Sequence, residues 1–273
     1  MNLAVLSGIG FLVGIAGGMF GVGGGIVLIP ALTAAFGPSQ HLYQATSIIV
    51  NLFVAVPAVT QHHRAKAIDV RTVKKILPLA AAGAMVGVGA SELPIFAGER
   101  EIYLTGLFGA FLAFCGGYDV YRAIRRRTGP TLPPSVSAPA ETPSVRQLAA
   151  VAIPTGMASG LLGIGGGILA VPLQQRFLKL PIRTAIANSA AIIIATSLIG
   201  AIIKNYAFLK ENPGNRDPFV LAAVLVPTAI AGSLIGSRLT HKLPPSWIKG
   251  VFVVLLLASA AQVIYEAGKG IPW

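Results

Sequence analysis

Long apolar segments without charge alternate with short charged segments along this chain. The first 63 residues contain no Asp, Glu, Lys or Arg. Further uncharged runs follow at roughly 76–91, 102–118, 147–175, 184–203, 218–237 and 250–265. Each run approaches or exceeds the length of about 20 residues that a helix needs to cross the hydrocarbon core of a bilayer. The pattern predicts an all-α, polytopic membrane protein in the inner (plasma) membrane.

A glycine-rich phrase occurs twice in this apolar sequence, 142 positions apart. The first copy is GIAGGMFGVGGGIVLIP at residues 14–30, and the second is GMASGLLGIGGGILAVP at residues 156–172. At the same offset, Ala-Thr-Ser at 45–47 is aligned with Ala-Asn-Ser at 187–189. Two related halves that each carry a glycine break in a hydrophobic segment are typical of secondary transporters.

The repeat predicts the arrangement of the spans. We expect a first repeat over 1–124, a Pro-rich cytoplasmic linker over 125–146 and a second repeat over 147–273. Each repeat contains one glycine-broken pair of helices and three long spans. The predicted segments are 2–36, 43–62, 72–91 and 101–122 in the first half, and 147–180, 184–206, 218–240 and 247–266 in the second half.

Charge favours repeats that are inverted in the membrane. If each broken pair is a hairpin, the loops at 62–75, 122–146, 176–183 and 238–249 share one side and hold 16 of the 21 Lys and Arg residues. The alternative, in which each broken pair crosses once, gives a 14 to 7 division and leaves parallel repeats open. The hairpin arrangement obeys the positive-inside rule better. The same rule explains the net charge of +12, so no nucleic-acid partner is expected.

The glycine breaks are the predicted substrate site. Backbone N–H groups at Gly23, Gly24 and Gly25, and at Gly165, Gly166 and Gly167, start a new helix whose positive dipole end attracts anions. The alternative is that glycines only permit close helix packing, which we favour for the pairs Gly14/Gly18, Gly83/Gly87 and Gly232/Gly236.

Polar side chains on the following helix complete the predicted site. Thr46 and Ser47 in the first half match Asn188 and Ser189 in the second, although such side chains also bond their own backbone or a neighbouring helix. Asn51 and Lys204 are further candidates, and the alternative for Lys204 is that it extends to the interface. His41, His62 and His63 are expected at the interface, and the alternative is a role in pH sensing or proton coupling. The sequence shows no metal-binding or catalytic cluster, no cofactor motif and no carboxylate dyad inside the spans.

The paired motif resembles the sulfite exporter TauE/SafE family of membrane transporters. Gly21, Gly23–Gly25 and Pro30 match it, as do Gly163, Gly165–Gly167 and Pro172. The resemblance implies movement of small sulfur-containing or organic anions such as sulfite or sulfonates, without fixing substrate or direction. The second copy departs from the first at Gln174 and Gln175, which puts the equivalence of the two half-sites in question.

These features together predict a secondary transporter, not an enzyme, that works by alternating access with an anion held at the glycine breaks. A passive anion channel is the main alternative. A cation transporter that uses backbone carbonyls is less favoured. A proton or another coupling ion is a candidate partner, and the oligomeric state is not fixed by the sequence.

Overall fold

A computed structural model describes residues 3–37, 39–96, 100–128, 143–215 and 217–269. Within these ranges the chain forms ten α-helices and no strand. The helices are α1 Leu3–Phe20, α2 Gly25–Phe36, α3 Gln40–Arg64, α4 Val70–Ser91, α5 Glu101–Thr128, α6 Val145–Leu162, α7 Gly167–Phe177, α8 Ile182–Glu211, α9 Asp217–Lys242 and α10 Pro245–Lys269, with a 3₁₀ turn at Pro94–Phe96. Most of the predicted linker, 129–142, lies outside the described residues.

Seven of these helices are long and apolar enough to cross a membrane, namely α1, α3, α4, α5, α8, α9 and α10. Large apolar side chains such as Val86, Phe114 and Val254 are exposed on the outside of the bundle. In water this much exposed apolar surface would be unfavourable, whereas lipid chains solvate it. The prediction of a multi-pass helical membrane protein is confirmed.

Both predicted breaks occur where the glycines stand. The first lies between the end of α1 at Phe20 and the start of α2 at Gly25, and the second separates α6 from α7 in the same way. Gly21 and Gly163 are the first residues after their helices and have φ angles of 62° and 71°. Side chains with a Cβ rarely adopt this left-handed conformation, so glycine ends both helices at the same point.

The other paired glycines pack the two halves against each other. A Cβ on Gly14 would come within 3 Å of the Ala229 carbonyl oxygen, and a Cβ on Gly156 would come equally close to that of Ala80. Helix α1 therefore lies directly against α9, and α6 lies against α4. Gly83, Gly87, Gly232 and Gly236 form the opposing surfaces. These contacts agree with the close-packing interpretation and add that each partner belongs to the other half.

The remaining helix pairs follow the same pattern. Helix α3 packs on α8, and α5 packs on α10, so equivalent helices of the two halves meet each other. The core between them is apolar and includes Ile26, Ile29, Ile164 and Ile168, all buried. Because the glycine breaks lie inside this core, their backbone polar groups must find partners within the protein. Whether the halves are inverted relative to the membrane, and the three-part division of the chain, stay predictions.

Candidate functional site

The two glycine breaks meet in the centre of the molecule. A Cβ on Gly25 would lie 2.8 Å from the Cα of Ile164, and a Cβ on Gly167 would lie within 3 Å of the Cα of Val22. The first residue of each short helix therefore touches the break of the other half. Only glycine allows the two backbones to approach this closely.

The two paired serines join the breaks by matching hydrogen bonds. The Ser47 hydroxyl donates to the carbonyl oxygen of Gly163 at 2.8 Å, and the Ser189 hydroxyl donates to that of Gly21 at 2.5 Å. Both serines are fully buried. The sequence correctly placed them beside the glycines, but in this structure their hydroxyls bond the opposite break instead of facing an open space.

Asn51 lies at the centre of the region where the two breaks meet, which we call the crossing. Its Oδ1 accepts hydrogen bonds from the N–H groups of Gly24 and Gly25. Its Nδ2 donates to the Gly163 carbonyl oxygen at 3.2 Å and to the Ser47 hydroxyl at 3.4 Å. The expectation that the N–H groups of the first break are free is therefore wrong for this structure. Its signal in the sequence is an amide near the middle of α3, at a position with no polar equivalent in the second half.

The second break has no such side chain. The residue equivalent to Asn51 is Ile193, which packs against Gly165. Among the described residues no side chain accepts a hydrogen bond from the N–H groups of Gly166 or Gly167. The backbone also differs, because Gly166 has a φ of 75° where Gly24 has −85°. The second helix N-terminus therefore keeps the unpaired donors that the sequence predicted for both, while Gly23 and Gly165 shape the turns before them.

Two predicted site residues do not reach the crossing. The Thr46 hydroxyl donates to the carbonyl of Leu42 on its own helix at 2.9 Å. Asn188 donates to Gln174 at 3.1 Å and accepts the N–H of Asp69 at 2.8 Å. The departure of the second copy at Gln174 therefore supplies a partner for Asn188, and both contacts are structural in this conformation.

Lys204 is buried inside the protein. Its side chain is only 1% exposed and forms an ion pair with Glu92. Its Nζ also contacts His41 Nδ1 at 2.9 Å and the Ser91 hydroxyl at 3.0 Å. Its depth relative to the membrane interface stays a prediction. Burial of a lysine is tolerated when an opposite charge and hydrogen bonds compensate the lost hydration, and Glu92 provides both.

The three histidines divide between buried and exposed positions. His62 is fully buried and its Nδ1 lies 2.9 Å from Nε2 of His241 on α9. His41 is half-buried, and its Nε2 lies 3.0 Å from the Phe96 carbonyl oxygen. His63 is exposed as expected. The sequence did not predict the burial of His62, because a partner 179 residues away leaves no local pattern.

A cavity of about 550 Å³ reaches the crossing from one end of the bundle. Phe20, Val22 and Ile186 form its inner wall. Its other lining residues come from the adjoining ends of α5, α7, α8 and α10 and include Asp119, Gln175, Ser246 and Lys249. This is the end that carries the basic loops. A mostly apolar cavity with a few polar groups is the usual form of a small-molecule site.

The described residues contain no group of three His, Cys, Asp or Glu side chains that could hold a metal ion. The described residues form a helical membrane bundle of two interlocked halves. The two breaks meet at its centre, and the cavity leads to this crossing.

Comparison with known proteins agrees with this class. The Sulfite exporter TauE/SafE family matches residues 6–263, and the chain therefore belongs to this family of membrane transporters. The probable membrane transporter protein MamO of Magnetospirillum gryphiswaldense is 26% identical over 96% of this chain and 45% of its own length. The chain thus spans less than half of MamO.

Two shorter relatives match from end to end. The probable membrane transporter protein YunE of Bacillus subtilis is 24% identical over 97% of this chain and 98% of its own length. The probable membrane transporter protein MJ0441 of Methanocaldococcus jannaschii is 26% identical over 90% of both chains. No solved structure matches the chain.

Proposed function

We propose that this protein is a secondary transporter, most simply an exporter, of a small sulfur-containing or organic anion such as sulfite or a sulfonate. The anion binds at the start of α7, where the N–H groups of Gly166 and Gly167 have no side-chain acceptor among the described residues. This one observation carries the proposal, because the equivalent donors of the first break are already paired with Asn51.

The electrostatics of the crossing favour an anion over a cation. The positive ends of the α2 and α7 dipoles point into the crossing. The carbonyl oxygens that a cation would need, those of Gly21 and Gly163, already accept hydrogen bonds from Ser189 and Ser47. The donors are therefore in excess at the second break. A neutral site made of backbone dipoles also releases its anion without leaving a buried charge behind.

Two features support alternating access over a continuous pore. The cavity connects the crossing to the end of the bundle with the basic loops. At the opposite end, Lys204, Glu92 and His41 tie α8 to the first half. In alternating access, the site is open toward one end of the bundle and closed toward the other, and the transporter interchanges these two states. In this mechanism the two halves rock about the crossing, with their glycine contacts as the sliding surface.

The experiment uses Ile193→Asn, which places an amide opposite the second break just as Asn51 lies opposite the first. The new carbonyl oxygen is expected to take the N–H groups of Gly166 and Gly167 and to compete with the anion. Thermal stabilisation of the purified protein is measured with sulfite, thiosulfate, taurine, sulfate, chloride and divalent cations, since a ligand of the native state raises the Tm with concentration.

In the wild-type protein, a sulfur oxyanion is expected to raise the Tm. Ile193→Asn should weaken the apparent affinity obtained from that rise by at least about tenfold. The matched control, Ile193→Leu, adds no polar atom and should keep the response. Stabilisation by cations alone, or an unchanged anion response in Ile193→Asn, would contradict the site. Flux into proteoliposomes then separates a transporter from a channel, because only the former accumulates the anion against its gradient.

A further inference from the structure

Two clusters of ionisable side chains occupy positions that the internal repeat relates to each other. The first, which we name the lysine cluster, consists of Lys204, Glu92 and His41. The second, the histidine cluster, consists of His62, His241 and Arg183. His62 matches Lys204, and His41 matches Arg183, at the offset of 142. Glu92 matches His241 at an offset of 149, which also relates Gly83 of α4 to Gly232 of α9.

Each cluster joins one half of the molecule to the other. In the lysine cluster, Lys204 on α8 bonds Glu92, which directly follows α4. In the histidine cluster, His62 near the end of α3 contacts His241 near the end of α9. The repeat therefore places one inter-half polar contact at each end of the bundle. The two contacts are geometrically matched but chemically different.

The chemical difference concerns protons. A lysine–carboxylate pair keeps its opposite charges across the physiological pH range. An imidazole whose pKa is unperturbed changes charge between about pH 5 and 8. The Lys204–Glu92 ion pair between α8 and the first half therefore keeps its charges in this range, while the contact between α3 and α9 depends on how many protons the two histidines hold.

The geometry of the histidine pair admits one bridging proton. Nδ1 of His62 and Nε2 of His241 lie 2.9 Å apart, so one nitrogen donates and the other accepts. When both imidazoles are charged, both nitrogens carry a proton, and two N–H groups and two positive charges face each other across this distance. The contact then becomes repulsive, and the two helices must separate.

A second observation marks His62 as incompletely satisfied. Its other ring nitrogen, Nε2, is buried and has no hydrogen-bond partner. A buried polar atom without a partner is uncommon and costs free energy. It is the position at which a His62 ring that donates through Nδ1 takes up its second proton.

Among the described residues, no carboxylate is bonded to either imidazole. Of the helices packed around α3, α1 and α2 carry no ionisable side chain, and α8 contributes Arg183, which acts electrostatically on His241. Helix α5 contributes Glu101 at the far end, bonded to the N–H of His41. The nearby carboxylate of Asp69 is bound to Thr72 at the start of α4.

We propose that His62 and His241 form a proton-binding site that holds α3 against α9 while at least one of the two imidazoles is neutral and releases the two helices when both are charged. As the coupling site of a transporter, this inference rests on the function proposed above, although the proton binding itself does not. The lysine cluster is the matching contact at the other end, fixed by its permanent charges.

The test measures access to α9 without any anion present. Ser237 is fully buried and lies one helical turn before His241. In a Cys115→Ser background, Ser237→Cys provides a single thiol of nearly the same shape. Its reaction rate with a charged, water-soluble methanethiosulfonate is followed from pH 8 to pH 5 in the purified protein. Each rate is divided by the rate of the same chain unfolded in detergent at the same pH, which removes the pH dependence of the thiol itself.

The normalised rate is expected to rise as the pH falls, by up to about a hundredfold per pH unit when both imidazoles take up a proton and about tenfold when one is already charged. His62→Gln and His241→Gln should each abolish this slope, and either variant suffices if the other does not fold. The double variant His62→Lys with His241→Glu copies the Lys204–Glu92 pair and should stay unlabelled over the whole pH range. His63→Gln, which removes the exposed neighbour, should keep the wild-type slope.

Three results would overturn the proposal. These are a flat wild-type profile, a slope that survives loss of either buried histidine, and a slope that disappears equally in His63→Gln. Since no anion is used, these results are independent of the Ile193→Asn experiment. The proton site can fail while anion binding stands, and the reverse also holds.

Discussion

The two glycine breaks share a sequence phrase but hold their helix starts differently. At the first break the Asn51 amide satisfies the N–H groups of Gly24 and Gly25. At the second break, Ile193 occupies the equivalent position and the donors of Gly166 and Gly167 have no side-chain acceptor among the described residues. The first break is thus closed by the protein itself. The comparison teaches that a duplicated motif can give one break whose donors are satisfied by a side chain and one whose donors are not.

The largest effect is expected for Asn51→Ile, which makes the first break resemble the second. Two buried N–H groups lose their acceptor, at a cost of about 1–3 kcal/mol each, so the unfolding free energy should fall by about 3–5 kcal/mol. Unfolding by SDS in mixed micelles measures this loss. Asn51→Asp keeps the acceptor and should lose much less. A loss below about 1 kcal/mol in Asn51→Ile would show that the amide does not close the first break.

A smaller effect is expected where the backbones of the two breaks differ. Gly166 has a positive φ, and a Cβ there would collide with the Thr155 carbonyl oxygen, whereas Gly24 has a negative φ and would meet the side chain of Val13. Gly166→Ala should therefore destabilise the protein by about 2–3 kcal/mol. Gly24→Ala should cost less in the same unfolding experiment. Equal losses would show that the two breaks are conformationally alike.

The smallest difference is expected between the paired serines. The Gly163 carbonyl keeps a bond from Asn51 when Ser47 is lost, but the Gly21 carbonyl has no other described side-chain donor than Ser189. Ser189→Ala should therefore cost about 1–2 kcal/mol, and Ser47→Ala should cost less than about 1 kcal/mol. Melting of the two variants in parallel measures this order. The reverse order would mean that Asn51 does not support the first half of the crossing.

Much of the fold was predictable because its causes are local. Uncharged runs of membrane length gave the helices, and glycines with the same spacing gave both breaks, since left-handed backbone and close approach need a missing Cβ. The six long spans were therefore placed within a few residues of the observed helices. Ser47 and Ser189 were found through the repeat, because an identical position in two related halves creates an identical contact.

The contacts that the sequence did not predict involve side chains whose partners are distant in sequence. Lys204 contacts a glutamate 112 positions away, and His62 contacts a histidine 179 positions away. Read alone, each residue resembled an interfacial residue at a helix end. Asn51 was underrated because it has no polar equivalent in the second half. In each case the decisive partner is brought near only when the two halves interlock.

The sequence by itself determined that this chain is a two-part helical membrane protein with a glycine break in each part, because hydropathy and backbone conformation are set by neighbouring residues. Only the tertiary structure decided which donors are satisfied. A hydrogen bond or ion pair needs two groups within about 3 Å, and at the crossing of the two breaks those groups come from opposite halves of the chain.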